Sequence, residues 1–447
     1  MNHAWKKVGV AAATIAMLGA SLAGCSHNSS DTASNGPVTI SFWHSASGAS
    51  AEAVDQVVKD FNEKNKGKIK IDSIYQGSYG DAIAKLANSV QSGKMPDVMQ
   101  VNDANTIYMR DTGIAIPAED LNKAADTKTD LKGLVPAVGQ YYTIDGKLLS
   151  MPFMTSTPVL YINPDMAAKA GLDANNPPKT RAELIDWAKK IHAATGKPGL
   201  VFHVGAWWFE EWTASDGLEY CTPKNGVGKK SAEKFVLSDP KQVQTWKDFR
   251  ELYKNGDALD VGSDSNNAQT AFATQEAGMT IQSSSSLGNL QENSQFKPVT
   301  AAFPVDNTKD GGIVIGGNSL WVFGKDAKDA KAQAAWKFVT YMASPEAQKV
   351  IFDKSGYLPG TEKSLKAVSE GADPVHKVLL DQLADVKAST VTAGCHSGAI
   401  QQVREALGDT LTSILHDGTD PQQALTALET KSQTMVADYQ KRASRHK

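Results

Sequence analysis

The sequence predicts an α/β protein built on two sheets, and three observations predict it. Period-two apolar strands alternate with helical segments through the first hundred residues. The same alternation resumes in the middle of the chain, and the C-terminal stretch is almost wholly helical. No Pro/Gly-rich linker divides the chain, which fits two interleaved lobes joined by several crossings.

Val38, Ile40 and Phe42 alternate with Thr39 and Ser41, the pattern of a strand with one buried face. Val54, Val57, Val58 and Phe61 recur at three-and-four spacing and so share one face of a helix. Residues 69–74 predict a second strand, 82–90 return to helical spacing, and 97–101 follow Pro96 as a third strand. That order is the signature of a parallel sheet covered by helices. Further on, 159–162 predict a short buried strand. Thr180 and Glu183 form a Thr-x-x-Glu capping box opening a helix that runs to about His192. Residues 279–281 and 320–323 predict strands, and 327–342 a long helix. Ser344-Pro345-Glu346 starts the next helix, with Ser as cap and Pro in the first position. From 399 to 442 the pattern is helical, broken near Gly418-Thr419-Asp420-Pro421.

Residues 1–24 predict a lipoprotein signal peptide. Lys6 and Lys7 supply positive charge, 8–18 are apolar but short for a bilayer span, and small residues lead to Leu22-Ala23-Gly24-Cys25. The last four resemble the lipobox of bacterial lipoproteins, which implies diacylglycerol on the Cys25 thiol and cleavage just before it. More than one acyl chain on one residue suffices for stable anchoring. Residues 25–36, rich in Ser, Asn and Asp, predict a lipidated flexible tether. No later segment reaches the ~20 uninterrupted apolar residues of a membrane helix. The body is therefore expected on the extracytoplasmic side of the cell membrane, held by lipid alone.

A formal net charge of −3 gives a nucleic-acid partner no electrostatic support. Besides Cys25 there are Cys221 and Cys395, which can pair in an exported protein, although spacing does not decide it. The chain has no phosphate-cradling loop ending in Gly-Lys-Ser/Thr and no Gly-x-Ser-x-Gly elbow. His44, His203 and His396 lie far apart without metal-ligand spacing, so neither metal nor cofactor is expected. Glu210 and Glu211 are adjacent and point in different directions on regular structure. A facing pair for glycoside hydrolysis would have to come from separate segments. An exported glycosidase is the enzyme alternative, and a non-enzyme is the expectation.

Small polar and aromatic clusters stand at the ends of predicted elements: Gly77-Ser78-Tyr79, Asn102-Asp103, Thr155-Ser156-Thr157, 282–286, Gly316-Gly317-Asn318-Ser319 and Gly356-Tyr357. In open α/β sheets ligands sit outside the carboxyl ends of strands. Hydroxyls, glycine-exposed N–H groups and flat aromatic faces suit a hydroxylated or phosphorylated small ligand. The same residue types are common in turns for conformational reasons alone.

Over nearly all of its mature length the chain resembles the extracellular solute-binding proteins of ABC importers, and within them the glycerol-3-phosphate-binding group. The resemblance rests on Tyr75-Gln76-Gly77-Ser78-Tyr79, 152–161 (PFMTSTPVLY), Asn176-Pro177-Pro178-Lys179-Thr180, 316–322 (GGNSLWV) and Gly356-Tyr357-Leu358-Pro359. It implies a periplasmic-binding-protein-like fold of class II type, in which two lobes, each a sheet flanked by helices, close on a cleft. Residues 37–153 plus 299–355 would form the first lobe, and 154–298 plus 356–447 the second. The implied ligand contacts are Tyr79, Asp103, Ser156, Ser283, Gly317 and Tyr357, with Asp103 accepting from glycerol hydroxyls and the serines and Gly317 donating to phosphate. Two positions depart from the group. His396 stands where it has a phosphate-contacting arginine, and Arg181 stands where it has a tryptophan packed on glycerol. Arg404 corresponds to a different arginine. Arginine offers bidentate phosphate recognition that neutral histidine lacks. Either Arg181 supplies the missing charge or the ligand is not a simple phosphate monoester. Glycerol-3-phosphate or a glycerophosphodiester is the expected ligand, and a sugar or oligosaccharide stacked on Trp207, Trp208 or Trp212 is the alternative. The expected partners are membrane permease subunits, the binding protein itself being a monomer.

Overall fold

The computed structural model describes residues 36–228 and 232–444. The expected signal peptide, Cys25 and nearly all of the tether lie outside the described residues. Strands Val38–His44 (β1) and Ile69–Tyr75 (β2) flank helix Ala49–Lys64 (α1), and helix Tyr79–Ser92 (α2) leads to Val98–Asn102 (β3). β1 runs parallel to both neighbours, with Val38 opposite Ile69 and Phe42 opposite Val98. Helix Thr106–Thr112 (α3) follows, then Ala115–Ile116 (β4) and the fully buried Met151–Ser156 (β5).

The chain then crosses to a second sheet, made of Pro158–Ile162 (β6), Leu200–Val201 (β7), Ala258–Leu259 (β8), Met279–Ser283 (β9) and Val299–Ala302 (β10). Gly316–Phe323 (β11) returns to the first. The first sheet has the order β2-β1-β3-β11-β4, with β5 also paired to β11, and the second the order β8-β7-β9-β6-β10. The described residues from 37 onward make up one compact unit.

The sheets are buried on both faces, which explains why their central strands carry continuous apolar runs. In β6, Val159 and Tyr161 join one core while Leu160 and Ile162 join another. In the first lobe Phe42, Phe61 and Phe338 meet edge-on, with ring centroids 5.3 and 5.2 Å apart. Each fully buried side chain of this size contributes about 1.5–3 kcal/mol. Met99, Val101 and Trp321 pack Ala82 and Leu86 of α2 on the sheet's other face.

Helix Arg181–Thr195 (α4) starts with the expected capping box, in which the Glu183 N–H donates to Thr180 Oγ1 at 3.2 Å. Ala206–Ser215 (α5) and Pro240–Lys254 (α6) also cover the second sheet. The helix expected from 327 starts instead at Ala330 (Ala330–Met342, α7), because the Asp329 side chain caps it by accepting from the Lys331 N–H at 2.9 Å. Pro345–Ser355 (α8), Glu362–Ser369 (α9), Pro374–Asp385 (α10), Ile400–Leu415 (α11) and Pro421–Ala443 (α12) complete the chain. Among the described residues no helix is long and apolar enough to cross a membrane.

The crossings fall a few residues from the expected positions. β5 pairs with β11 through Ser156, so the first lobe extends past 153. β10 pairs with β6 from Val299↔Ile162 to Ala302↔Val159, so the second lobe runs past 298. α9 packs on α8 of the first lobe, and only α10 reaches β10. Strand pairing decides the first two: leaving β5 or β10 unpaired would strand buried backbone groups.

Candidate ligand cleft

Tyr79 and Asp103 follow the carboxyl ends of β2 and β3. After β2, Gly77 adopts φ +88, and a Cβ there would lie 2.8 Å from Asp81 Oδ2. Ser78 and Asp81 form a capping box, with the Asp81 N–H donating to Ser78 Oγ at 3.2 Å. Together they fix Tyr79 at the first position of α2. The half-buried Tyr79 hydroxyl accepts from Asn318 Nδ2 at 3.0 Å, on the strand that carries Gly317. Gly317 sits at φ +111, where a Cβ would come within 2.0 Å of the Met154 carbonyl, so only glycine fits. Ser156, paired with Gly316, is buried beside it, and a Cβ on Gly316 would also touch the Trp207 ring at 3.2 Å.

From the second lobe, β9 ends in a run of serines. Ser283 caps the following turn by accepting from the Ser285 N–H at 3.3 Å, and the two hydroxyls are 2.8 Å apart. Gly356, in the left-handed region at φ +77, brings the end of α8 so close that a Cβ would lie 2.4 Å from the Ser284 carbonyl. That approach brings the Tyr357 side chain into electrostatic interaction with those of Ser285 and Tyr79. Hydroxyls drawn from both sheets thus interact through Tyr357. Burial pushes the Tyr79 and Tyr357 hydroxyls up, with neighbouring Asp103 adding to it, so both stay protonated donors at neutral pH.

Asp103 occupies the turn after β3 and is buried. Its Oδ2 accepts from the Tyr141 hydroxyl at 3.2 Å and lies 3.5 Å from Arg404 Nη2 on α11. Burial raises the Asp103 carboxyl, and Arg404 pulls it back down. Arg404 Nη2 also donates to Glu210 Oε2, and Glu210 Oε1 accepts from the Cys395 N–H at 3.0 Å. Glu211 points elsewhere, as adjacent helix positions require: its Oε2 accepts from the Val314 N–H at 3.0 Å. Its other oxygen has no hydrogen-bond partner, and burial pushes this carboxyl well up.

Cys221 and Cys395 form a disulfide across 174 residues. It fixes Gly394-Cys395-His396, where the His396 ring lies edge-on to Tyr141 with centroids 5.3 Å apart. Burial, helped by the positive charge of Arg110, lowers His396 to about 4, so the ring is neutral at pH 7.

Pairwise contacts link the expected site residues: Tyr79 bonds to Asn318 beside Gly317, Ser156 pairs with Gly316, Tyr357 interacts with Tyr79 and Asp103, Ser283 meets Ser285, and Asp103 and His396 both meet Tyr141. Arg181 does not join them. Its guanidinium bonds to Asp216 at 3.2 Å and Asp306 at 3.0 Å and lies 5.7 Å over Trp212. Two carboxylates already hold its charge, which removes it as the replacement for an arginine at 396. Trp208 and Trp212 are fully buried, leaving Trp207 as the one of the three against the cleft glycines.

Arg404, Tyr141 and Glu210 are absent from the expected ligand contacts, whereas Ser285 and Asn318 fall inside the polar clusters at 282–286 and 316–319. The one available signal is in α11, where Ile400, Val403, Leu407 and Leu411 form the buried stripe and Arg404 interrupts it. A cation on an apolar stripe requires a buried partner. Among the described residues no group of three or more His, Cys, Asp or Glu is placed to hold a metal ion.

Residues 56–377 match the family of bacterial extracellular solute-binding proteins. The sn-glycerol-3-phosphate-binding periplasmic protein UgpB of Escherichia coli is 33% identical over 413 residues, covering 89% of this chain and 92% of its own. UgpB of Salmonella typhimurium is 32% identical over 414 residues, covering 90% and 93%. Among solved structures, the GacH receptor of Streptomyces glaucescens superposes with a TM-score of 0.75 at 21% identity, over 90% of this chain and 99% of its own. UgpB of Mycobacterium tuberculosis, solved with glycerophosphocholine, gives 0.74 at 18% identity, over 91% and 99%. Two sheets with a polar cleft between them, the family match and these relatives lead to one conclusion: the chain belongs to the bacterial extracellular solute-binding proteins and is the substrate-binding component of an ABC importer.

Proposed function

We propose that the cleft captures a glycerophosphodiester and delivers it to membrane permease subunits, without chemical change to the solute. The observation that carries this reading is a set of hydroxyls drawn from both sheets, Tyr79 bonded to Asn318 and Ser283 beside Ser285, with Tyr357 interacting with Tyr79, Ser285 and the buried Asp103 carboxylate. Tyrosine and serine hydroxyls donate to phosphate oxygens, and Asp103 accepts from glycerol hydroxyls. Contacts from both lobes favour closure, because ligand shifts the population by its greater affinity for the closed form. The UgpB relatives support the glycerophosphate class. A sugar is the second reading, favoured by Trp207 packed against Gly316 at the mouth of β11.

We infer further that Cys25 is lipidated and that residues 25–36 tether a monomer to the outer face of the membrane. Calorimetric titration of the body from residue 37 tests the ligand reading, using glycerophosphocholine, glycerol-3-phosphate and maltose. Binding of glycerophosphocholine supports it, maltose alone selects the sugar reading, and no heat from any of the three overturns both.

A further inference from the structure

We propose that Glu210 is a specificity-determining residue: by holding the Arg404 guanidinium in an internal ion pair, it makes the cleft select solutes of no net charge over phosphate monoesters. This rests on the cleft being the solute site. Arg404 is the arginine that reaches the buried end of the cleft, and it meets two carboxylates there, Glu210 through Oε2 and Asp103 at 3.5 Å. Either protonation state of Asp103 therefore leaves no surplus positive charge in this cluster. The other arginines bearing on the question are engaged as well. Arg181 is held by Asp216 and Asp306, and Arg110 pairs with Asp111 at 2.8 Å. His396 is neutral.

A phosphate monoester carries about −1.5 to −2 charge at neutral pH. To enter, it must give up water beside two carboxylates whose cation is already shared, an arrangement in which like charge disfavours binding. A zwitterion such as glycerophosphocholine brings its own cation, and a neutral polyol brings no charge. Both retain the hydroxyl contacts of the serines and tyrosines. Glu210 also accepts the Cys395 N–H, a role that glutamine preserves while removing the charge.

The test is calorimetry at pH 7.5 on the body from residue 37, with glycerol-3-phosphate, glycerophosphocholine and maltose as probes. Wild-type protein is expected to bind glycerophosphocholine or maltose at least a hundredfold more tightly than glycerol-3-phosphate. In Glu210→Gln the ratio should narrow at least tenfold, through a gain for glycerol-3-phosphate. In Glu210→Asp, which keeps the charge, it should stay within threefold of wild type. Glycerol-3-phosphate binding wild type as tightly as the others overturns the proposal, and so does a folded Glu210→Gln with an unchanged ratio. If Glu210→Gln does not fold, the wild-type ratio alone decides. Failure of all three probes overturns the reading of the cleft itself, an outcome distinct from a tight monoester.

Discussion

Removing the Cys221–Cys395 disulfide should destabilise the protein by about 5 kcal/mol. The bond closes a loop of 174 residues, and chain entropy alone gives about 5 kcal/mol at 25 °C for a loop of that length. Both cysteines are buried, so a reductant does not reach the bond in the folded protein, and the double variant Cys221→Ala/Cys395→Ala is the right perturbation. Folding should survive, because Asn225 independently ties the two segments. Its side-chain carbonyl accepts from the Cys221 N–H at 2.8 Å, and its backbone carbonyl accepts from the His396 N–H at 2.8 Å. Urea unfolding followed by tryptophan fluorescence measures the loss, with the slope fitted separately for each protein because removing the cross-link lets the unfolded chain expand. The variant should also bind solute less tightly, since the Cys395 N–H orients Glu210. A loss below about 1 kcal/mol would refute the chain-entropy argument, and unchanged binding would refute the link to the cleft.

Two further outcomes follow from single side chains. Glu211 keeps its proton in the folded state above the pH at which the unfolded chain releases it, so its contribution falls as pH rises from about 4.3. Glu211→Gln should therefore raise the melting temperature at pH 7.5 and leave it nearly unchanged at pH 4. An equal change at both pH values would mean that the effect is packing and not ionisation. Tyr439 of α12 donates to Asp111 Oδ2 of α3 at 2.9 Å, joining the lobes, and its ring covers Gly398. Tyr439→Phe keeps the ring and removes a bond worth about 1 kcal/mol, so affinity for the bound solute should fall ~5-fold. Unchanged affinity would show that the bond does not bias closure.

Much of the fold is legible in the sequence because its signals are local. Alternation in β1, the helical face of α1, the Thr180/Glu183 capping box and the Ser344-Pro345 start each depend on residues within one turn or strand. The lobe crossings are not local. β10 belongs to the second sheet because Val299 finds Ile162, a partner far away in the chain. The same distinction separates the site residues. Tyr79, Gly317 and Tyr357 are set by their own turns, which local motifs carry. Arg181 looks like a free cation in the sequence, yet its partners Asp216 and Asp306 stand 35 and 125 residues away. Arg404 shows the reverse: its partners Glu210 and Asp103 are invisible in the sequence, and only its place on a buried stripe hints at them.

The central claim is that the two lobes close on a solute held between the Asp103 side and the Ser283 side. Small-angle X-ray scattering on the body from residue 37 tests it most directly, without ligand and with a saturating amount of whichever calorimetric probe binds. The account predicts a smaller radius of gyration with ligand. It also predicts that Tyr357→Ala abolishes the change while the ligand-free melting temperature stays nearly the same. Identical scattering with and without a saturating ligand would contradict it.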